Sequence, residues 1–130
     1  MVPSANDRDC GDGRLGIVTS PGQAPIPQVG IEQLPPEPTV LDVREDDEWT
    51  AGHIDGAIHI PLTELPGRLH ELPDADRLVV ICRSGARSAR ATTYLQQIGI
   101  EAVNLDGGMK AWSAAGRPMV CESAAAPTVI

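Results

Sequence analysis

Leu78-Val79-Val80-Ile81-Cys82 is an unbroken apolar run with no polar residue to turn toward water. A strand of this kind must be covered on both faces, as in the middle of a parallel sheet. That requirement sets the terms for the rest of the chain, which has to supply flanking strands and two covering layers. Thr39–Val43 and Ile100–Leu105 read as further short strands, and Gly56–Ile60 as another, stopped by Pro61. Helical stretches lie between them. Glu45–Ala51 is acidic in its first turn and ends at Gly52. Leu62–Leu72 carries an apolar stripe at 62, 65, 69 and 72, strained by Pro66. Ala86–Ile98 has Ala91, Leu95 and Ile98 as its expected inner face and Gly99 after its end, and Gly107–Ala115 is closed by Gly116. Strands separated by helices predict an α/β fold, a parallel sheet with helices on both faces.

The 130 residues suffice for one domain and not two. Met1 to about Pro27 is rich in Gly, Pro, Ser, Asp and Asn and has no periodicity. It is expected to be a mobile tail with one weak extended piece at Arg14–Thr19. The expected division is therefore a tail over 1–25, a domain over 26–120 and a C-terminal tail over 121–130.

Composition removes several functions. Lys and Arg number 10 against 18 Asp and Glu, a net charge of −8, and only Trp49, Tyr94 and Trp112 are aromatic. An acidic surface repels phosphate backbones, and three scattered rings make no stacking platform, so no nucleic-acid partner is expected. No apolar run is long enough to span a bilayer, so no membrane partner is expected, and Met1–Gly13 does not read as a secretory signal. Cys10, Cys82 and Cys121 are odd in number and far apart, which suits neither a disulfide framework nor zinc. Reduced thiols in a cytoplasmic setting are the expectation, with no metal or cofactor.

In parallel sheets sites lie at the carboxyl ends of strands, which points to Cys82. The segment Cys82-Arg83-Ser84-Gly85-Ala86-Arg87-Ser88 joins the central strand to a helix N-terminus. Inward-pointing amides of a tight loop, the helix dipole and two arginines all favour a thiolate over a thiol. Lowering a Cys pKa by two units takes roughly 2.7 kcal/mol. A helix terminus supplies about 0.3–1 kcal/mol, so the loop amides and arginines must supply the rest. A nucleophilic thiolate inside an anion-binding loop suits attack on a small oxyanion, with thiosulfate, phosphate and arsenate as candidates. A buried, inert Cys closing a core strand is the alternative.

Three stretches together resemble a known family. They are Leu41-Asp42-Val43-Arg44-Glu45 through Gly52-His53-Ile54-Asp55-Gly56-Ala57-Ile58-His59-Ile60-Pro61, the Cys82–Ser88 loop, and Leu105-Asp106-Gly107-Gly108-Met109-Lys110-Ala111-Trp112 with Gly116. In order and spacing they resemble a single-domain rhodanese, a thiosulfate sulfurtransferase-like protein, from about Ile26 to Val120. The resemblance implies a five-stranded, mainly parallel sheet and a two-step reaction. Cys82 takes the outer sulfur of thiosulfate, sulfite leaves, and cyanide, a thiol or a protein acceptor removes the sulfur from the Cys82 persulfide. It also implies that the amides from Arg83 to Ser88 hold that persulfide.

Within the loop, Arg83 and Arg87 are candidates for binding the substrate anion, with Arg87 alternatively pairing with a carboxylate to order the loop. Ser84 and Ser88 could donate to sulfur, and Ser88 could equally be an ordinary helix-start residue. Gly85 allows φ > 0 or close approach of a ligand, and Ala86 opens the helix. Outside the loop, Asp42 and Glu45 have the spacing of a capping box, and Arg44 and Glu48 that of a surface pair. His53 and His59 are expected to be exposed or satisfied in the core, and Met109 and Trp112 to fill it. Cys10 or Cys121 could resolve a persulfide as a disulfide.

Two rivals remain. A phosphatase or arsenate reductase of related fold places five residues between Cys and Arg; here Cys82 and Arg87 have four between them. A non-catalytic or relay module would pass sulfur to a partner protein.

Overall fold

The structure, a computed structural model, describes residues 16–18, 26–121 and 126–130. It contains one mixed sheet with strands β1 (Gly16–Val18), β2 (Ile26–Val29), β3 (Thr39–Asp42), β4 (Ile58–His59), β5 (Leu78–Ile81) and β6 (Ala102–Leu105). Helices are α1 (Asp46–Ala51), α2 (Ala86–Gln97) and α3 (Gly108–Ala114). Strand order is β1-β2-β6-β5-β3-β4. The five strands from β2 to β4 run parallel, as expected, and β1 adds an antiparallel sixth through Gly16↔Gln28 and Val18↔Ile26. That strand falls within the extended piece expected at Arg14–Thr19. Most of the expected N-terminal tail, including Cys10, lies outside the described residues.

β5 is central and all four of its residues are buried. Period-two alternation splits them between two cores. Leu78, Val80 and Cys82 join Leu41, Val43, Ile60, Ala102 and the α2 residues Ala91 and Leu95. Val79 and Ile81 join Val29, Val40, Val103, Leu105 and the α3 residues Met109 and Trp112. Helices thus cover both faces, and each fully buried Val, Leu or Ile stabilises this packing by about 1.5–3 kcal/mol. Trp112 and Met109 fill the core, with the indole N–H donating to the Pro118 carbonyl at 2.9 Å.

Three local expectations are corrected. Leu62–Leu72 is not one α-helix but two 3₁₀ segments, Leu62–Gly67 and Leu69–Glu71. Pro66 has no N–H to give, and the turns close i to i−3, as in Glu64 N–H to the Pro61 carbonyl at 2.8 Å. Ile98 is not on the inner face of α2 but 44% exposed. The buried stripe is Ser88, Ala91, Thr92 and Leu95, and the chain leaves the helix at Ile98. Asp42 does not form a capping box with Glu45; its carboxylate takes the Arg44 guanidinium, and the Glu45 amide donates to Glu48 Oε1 at 2.9 Å. No helix among the described residues is long and apolar enough to cross a membrane.

Candidate active site

Cys82 follows the last residue of β5, one step beyond the pairing of Ile81 with Asp42 on β3. Here the chain must turn from a buried strand into α2. Gly85 makes the turn at φ +116°, a left-handed conformation that disfavours any side chain. The turn aims the Gly85 N–H at Cys82 Sγ, 3.0 Å away. Ser88, in the first turn of α2, places Oγ 3.4 Å from the same sulfur. Cys82 is 1% exposed. Burial pushes its thiol up, but the Ser88 hydroxyl and the amides of Ser88, Gly85 and Ser84 outweigh burial and leave it below the ordinary thiol value. Of the sources expected from sequence, the loop amides are present at the sulfur, whereas neither loop arginine is among the principal causes of the shift.

The other loop residues divide. Arg83, Ser84 and Ala86 are exposed, and Arg83 Nε donates to the Ile130 carbonyl at 2.9 Å. Arg87 takes the carboxylate pairing: Nη1 and Nη2 donate to Glu48 Oε1 and Oε2 at 2.7 and 2.8 Å. The hydrogen bonds from Arg87 pull Glu48 down to about 2. This fork ties α1 to the start of α2. Ser88 is fully buried and bonded to the site, so it is not an ordinary helix-start residue.

The Arg44–Glu48 pair expected from sequence does not form. Arg44 precedes α1, so it does not share a helix face with Glu48. It lies 0% exposed instead, with Nε and Nη2 on Asp42 and Nη2 also donating to the Gly52 carbonyl at 2.8 Å. This buried pair fixes the end of β3 beside the end of β5. His53 and His59 are satisfied, by the Trp49 carbonyl and the Arg44 carbonyl, each at 2.8 Å. Both rings stack on Trp49, at 3.7 and 4.7 Å between centroids.

The opposite side of the loop is held by α3. The amides of Met109 and Lys110, in its first turn, donate to the Cys82 and Arg83 carbonyls at 2.8 and 3.0 Å. Gly108 makes this approach feasible. It sits at φ +56°, and a Cβ there would collide with the Cys82 carbonyl and come within 2.8 Å of the Arg83 carbonyl.

Sequence reasoning missed Asn104 and Gln28. Asn104, in β6, receives the Ser88 hydroxyl on Oδ1 and donates from Nδ2 to Gln28 Oε1 at 2.8 Å and the Gly85 carbonyl at 3.3 Å. The available signal was an amide side chain in the apolar run Ala102-Val103-Asn104-Leu105, at the alternation that faces α2 with Ala102.

A family model for the rhodanese-like domain matches residues 30–115. The sulfurtransferase of Allochromatium vinosum is 42% identical over 82 residues, which are 62% of this chain and 77% of that protein. The rhodanese-related protein of Thermoplasma volcanium superposes with a TM-score of 0.61 at 42% identity, covering 65% of this chain and 84% of that one. The thiosulfate sulfurtransferase of Pseudomonas aeruginosa superposes with a TM-score of 0.60 at 33% identity, covering 68% of this chain but 17% of that one.

Proposed function

The chain belongs to the rhodanese-like sulfurtransferase family, and from that premise we propose that it moves sulfane sulfur from thiosulfate, or a related donor, through a persulfide on Cys82. The observation that carries this reading is the Cys82 sulfur, held by the Gly85 N–H beside the Ser88 hydroxyl and below its ordinary thiol range. The Pseudomonas aeruginosa neighbour, a thiosulfate sulfurtransferase, supports the choice of donor.

In the first step the Cys82 thiolate attacks the outer sulfur of thiosulfate. A sulfur–sulfur bond forms at Cys82, the sulfur–sulfur bond within thiosulfate breaks, and its electron pair leaves with sulfite. Sulfite departs as a stable anion, so the step needs no general acid. In the second step a thiolate, cyanide or a protein thiol attacks the outer sulfur and the electron pair returns to Cys82. The added negative sulfur is held by the amides of Arg83, Ser84, Gly85, Ala86, Arg87 and Ser88. Arg83, exposed at the loop, attracts the incoming anion. A reduced Cys82 is required, which suits a cytoplasmic compartment.

A phosphate or arsenate substrate fits less well. Both terminal nitrogens of Arg87 are taken up by Glu48 rather than presented to a tetrahedral oxyanion. The test is intact mass after incubation with thiosulfate. We expect the mass of one sulfur atom on the parent protein, removed by cyanide, and none on Cys82→Ser. An unmodified parent, or a Cys82→Ser protein that gains sulfur, would overturn the reading.

A further inference from the structure

Asn104 lies behind Cys82 rather than at the exposed rim of the loop. It is 1% exposed and sits in the sheet between Val80 of β5 and Gln28 of β2. Its amide has only one workable orientation. Nδ2 faces the Gly85 carbonyl, a backbone oxygen that can only accept, as well as Gln28 Oε1. Oδ1 is therefore the end that meets Ser88, and the Ser88 hydroxyl donates to it.

A serine hydroxyl has one proton. While that proton is on Asn104, the Ser88 oxygen can only accept from Cys82 Sγ, 3.4 Å away. This serves the thiol, whose S–H can then donate to the Ser88 oxygen. A thiolate or persulfide sulfur is an acceptor, and to serve it the hydroxyl must turn away from Asn104. The amide and the sulfur thus compete for one proton.

We propose that Asn104 is a positioning residue for the reaction at Cys82: its amide, anchored by Gly85 and Gln28, competes with the sulfur for the single proton of Ser88 and so limits how fully that hydroxyl serves the anionic sulfur. The inference rests on Cys82 being the reacting group, as proposed above, but it is read on the thiol itself, without sulfur transfer. The charged residues on the loop and on the segments adjoining it are Arg83, Arg87 on α2 with Glu48 of α1 and Glu45 before it, the Asp42–Arg44 pair at the end of β3, Asp106 after β6 and exposed Lys110 on α3. Substitution of Asn104 removes none of them.

The experiment is the pH profile of alkylation by iodoacetamide in a Cys10→Ser/Cys121→Ser background, where only Cys82 reports. Asn104→Leu removes the competing acceptor at similar volume. We expect its profile to move to lower pH by about half to one unit, roughly a three- to tenfold rise in the ratio of thiolate to thiol. In a Ser88→Ala background the same substitution should leave the profile in place. Asn104→Val, smaller and suited to a strand, carries the same test if the leucine variant does not fold. Absence of the downward shift would overturn the proposal. So would an equal shift in both backgrounds, which would mean that Asn104 acts through packing alone. Failure of thiosulfate to load the parent protein would overturn the sulfurtransferase reading instead and leave this profile to decide the role of Asn104.

Discussion

At the scale of single residues, the two loop arginines have different tasks although they stand four apart in one motif. Arg83 is exposed and gives its Nε to the Ile130 carbonyl, and under the proposed function its charge would meet an anion arriving from solvent. Arg87 is committed to Glu48 and acts on the loop's shape and on the field at Cys82. Arg83→Ala should raise KM for thiosulfate with little change in kcat, the signature of lost uniform binding. That effect should shrink in high salt, because screening acts mainly on exposed charges. Arg87→Ala should lower kcat/KM by about ten- to hundredfold, the worth of a charge-assisted hydrogen bond, and move Cys82 alkylation to higher pH. Steady-state kinetics at two ionic strengths separate the two. Equal kcat/KM for both variants and the parent at low salt would contradict anion binding by the loop.

At the scale of elements, the site is a loop pinned from three sides: by β5 before it, by α2 after it and by the first turn of α3 across it. The α3 contact depends on Gly108. Two amides at the start of α3 reach the Cys82 and Arg83 carbonyls only because nothing projects between the backbones. Gly108→Ala combines an unfavourable left-handed φ with a steric clash, together about 2–4 kcal/mol. The clash is with the backbone of Cys82 and Arg83, so the loop must shift to relieve it. The variant should unfold at lower urea concentration and, where still folded, load sulfur more slowly. Full stability and full loading in Gly108→Ala would show that α3 does not hold the loop.

At the scale of the whole molecule, the sheet is tied together at its carboxyl end by two ion pairs of different kinds. Asp42–Arg44 is fully buried and local, two residues apart. Glu48–Arg87 is partly buried and joins helices 39 residues apart in the chain. Glu48 is held at about 2 in the folded protein, against an ordinary value of 4.5. A depressed carboxyl stabilises the fold above its unfolded value and loses that contribution as pH falls through the folded one. The pair should therefore contribute fully above about pH 5 and fade toward pH 2. Glu48→Gln should cost about 1 kcal/mol at pH 7, and the difference from the parent should close as pH falls to 3 and below. Urea titrations at pH 7, 5 and 3 measure this. A difference that stays constant across that range would mean the stabilisation is not ionic.

The parallel α/β architecture, the position of Cys82 and the turn at Gly85 were all legible in the chain, because each rests on neighbours within a few residues. β-branched and leucine runs set the strands, glycines punctuate the helices, and the loop carries its own charge and amides. The long-range partners were not legible. Nothing near Arg87 names Glu48, and nothing near Asn104 names Ser88 or Gln28, the latter 76 residues away. Spacing instead suggested local pairs for Asp42 and Arg44, and the structure replaced these because Arg44 lies outside α1, where under full burial its Nε and Nη2 reach Asp42 and the Gly52 carbonyl while Nη1 is left without a hydrogen-bond partner among the described residues. The sequence by itself determined which backbone turns and which residue ends the central strand at the loop. Only the packing of α1, α2 and the sheet decided which polar groups face one another, because a buried charge or amide takes its partner from whatever element is docked against it, however distant in the chain.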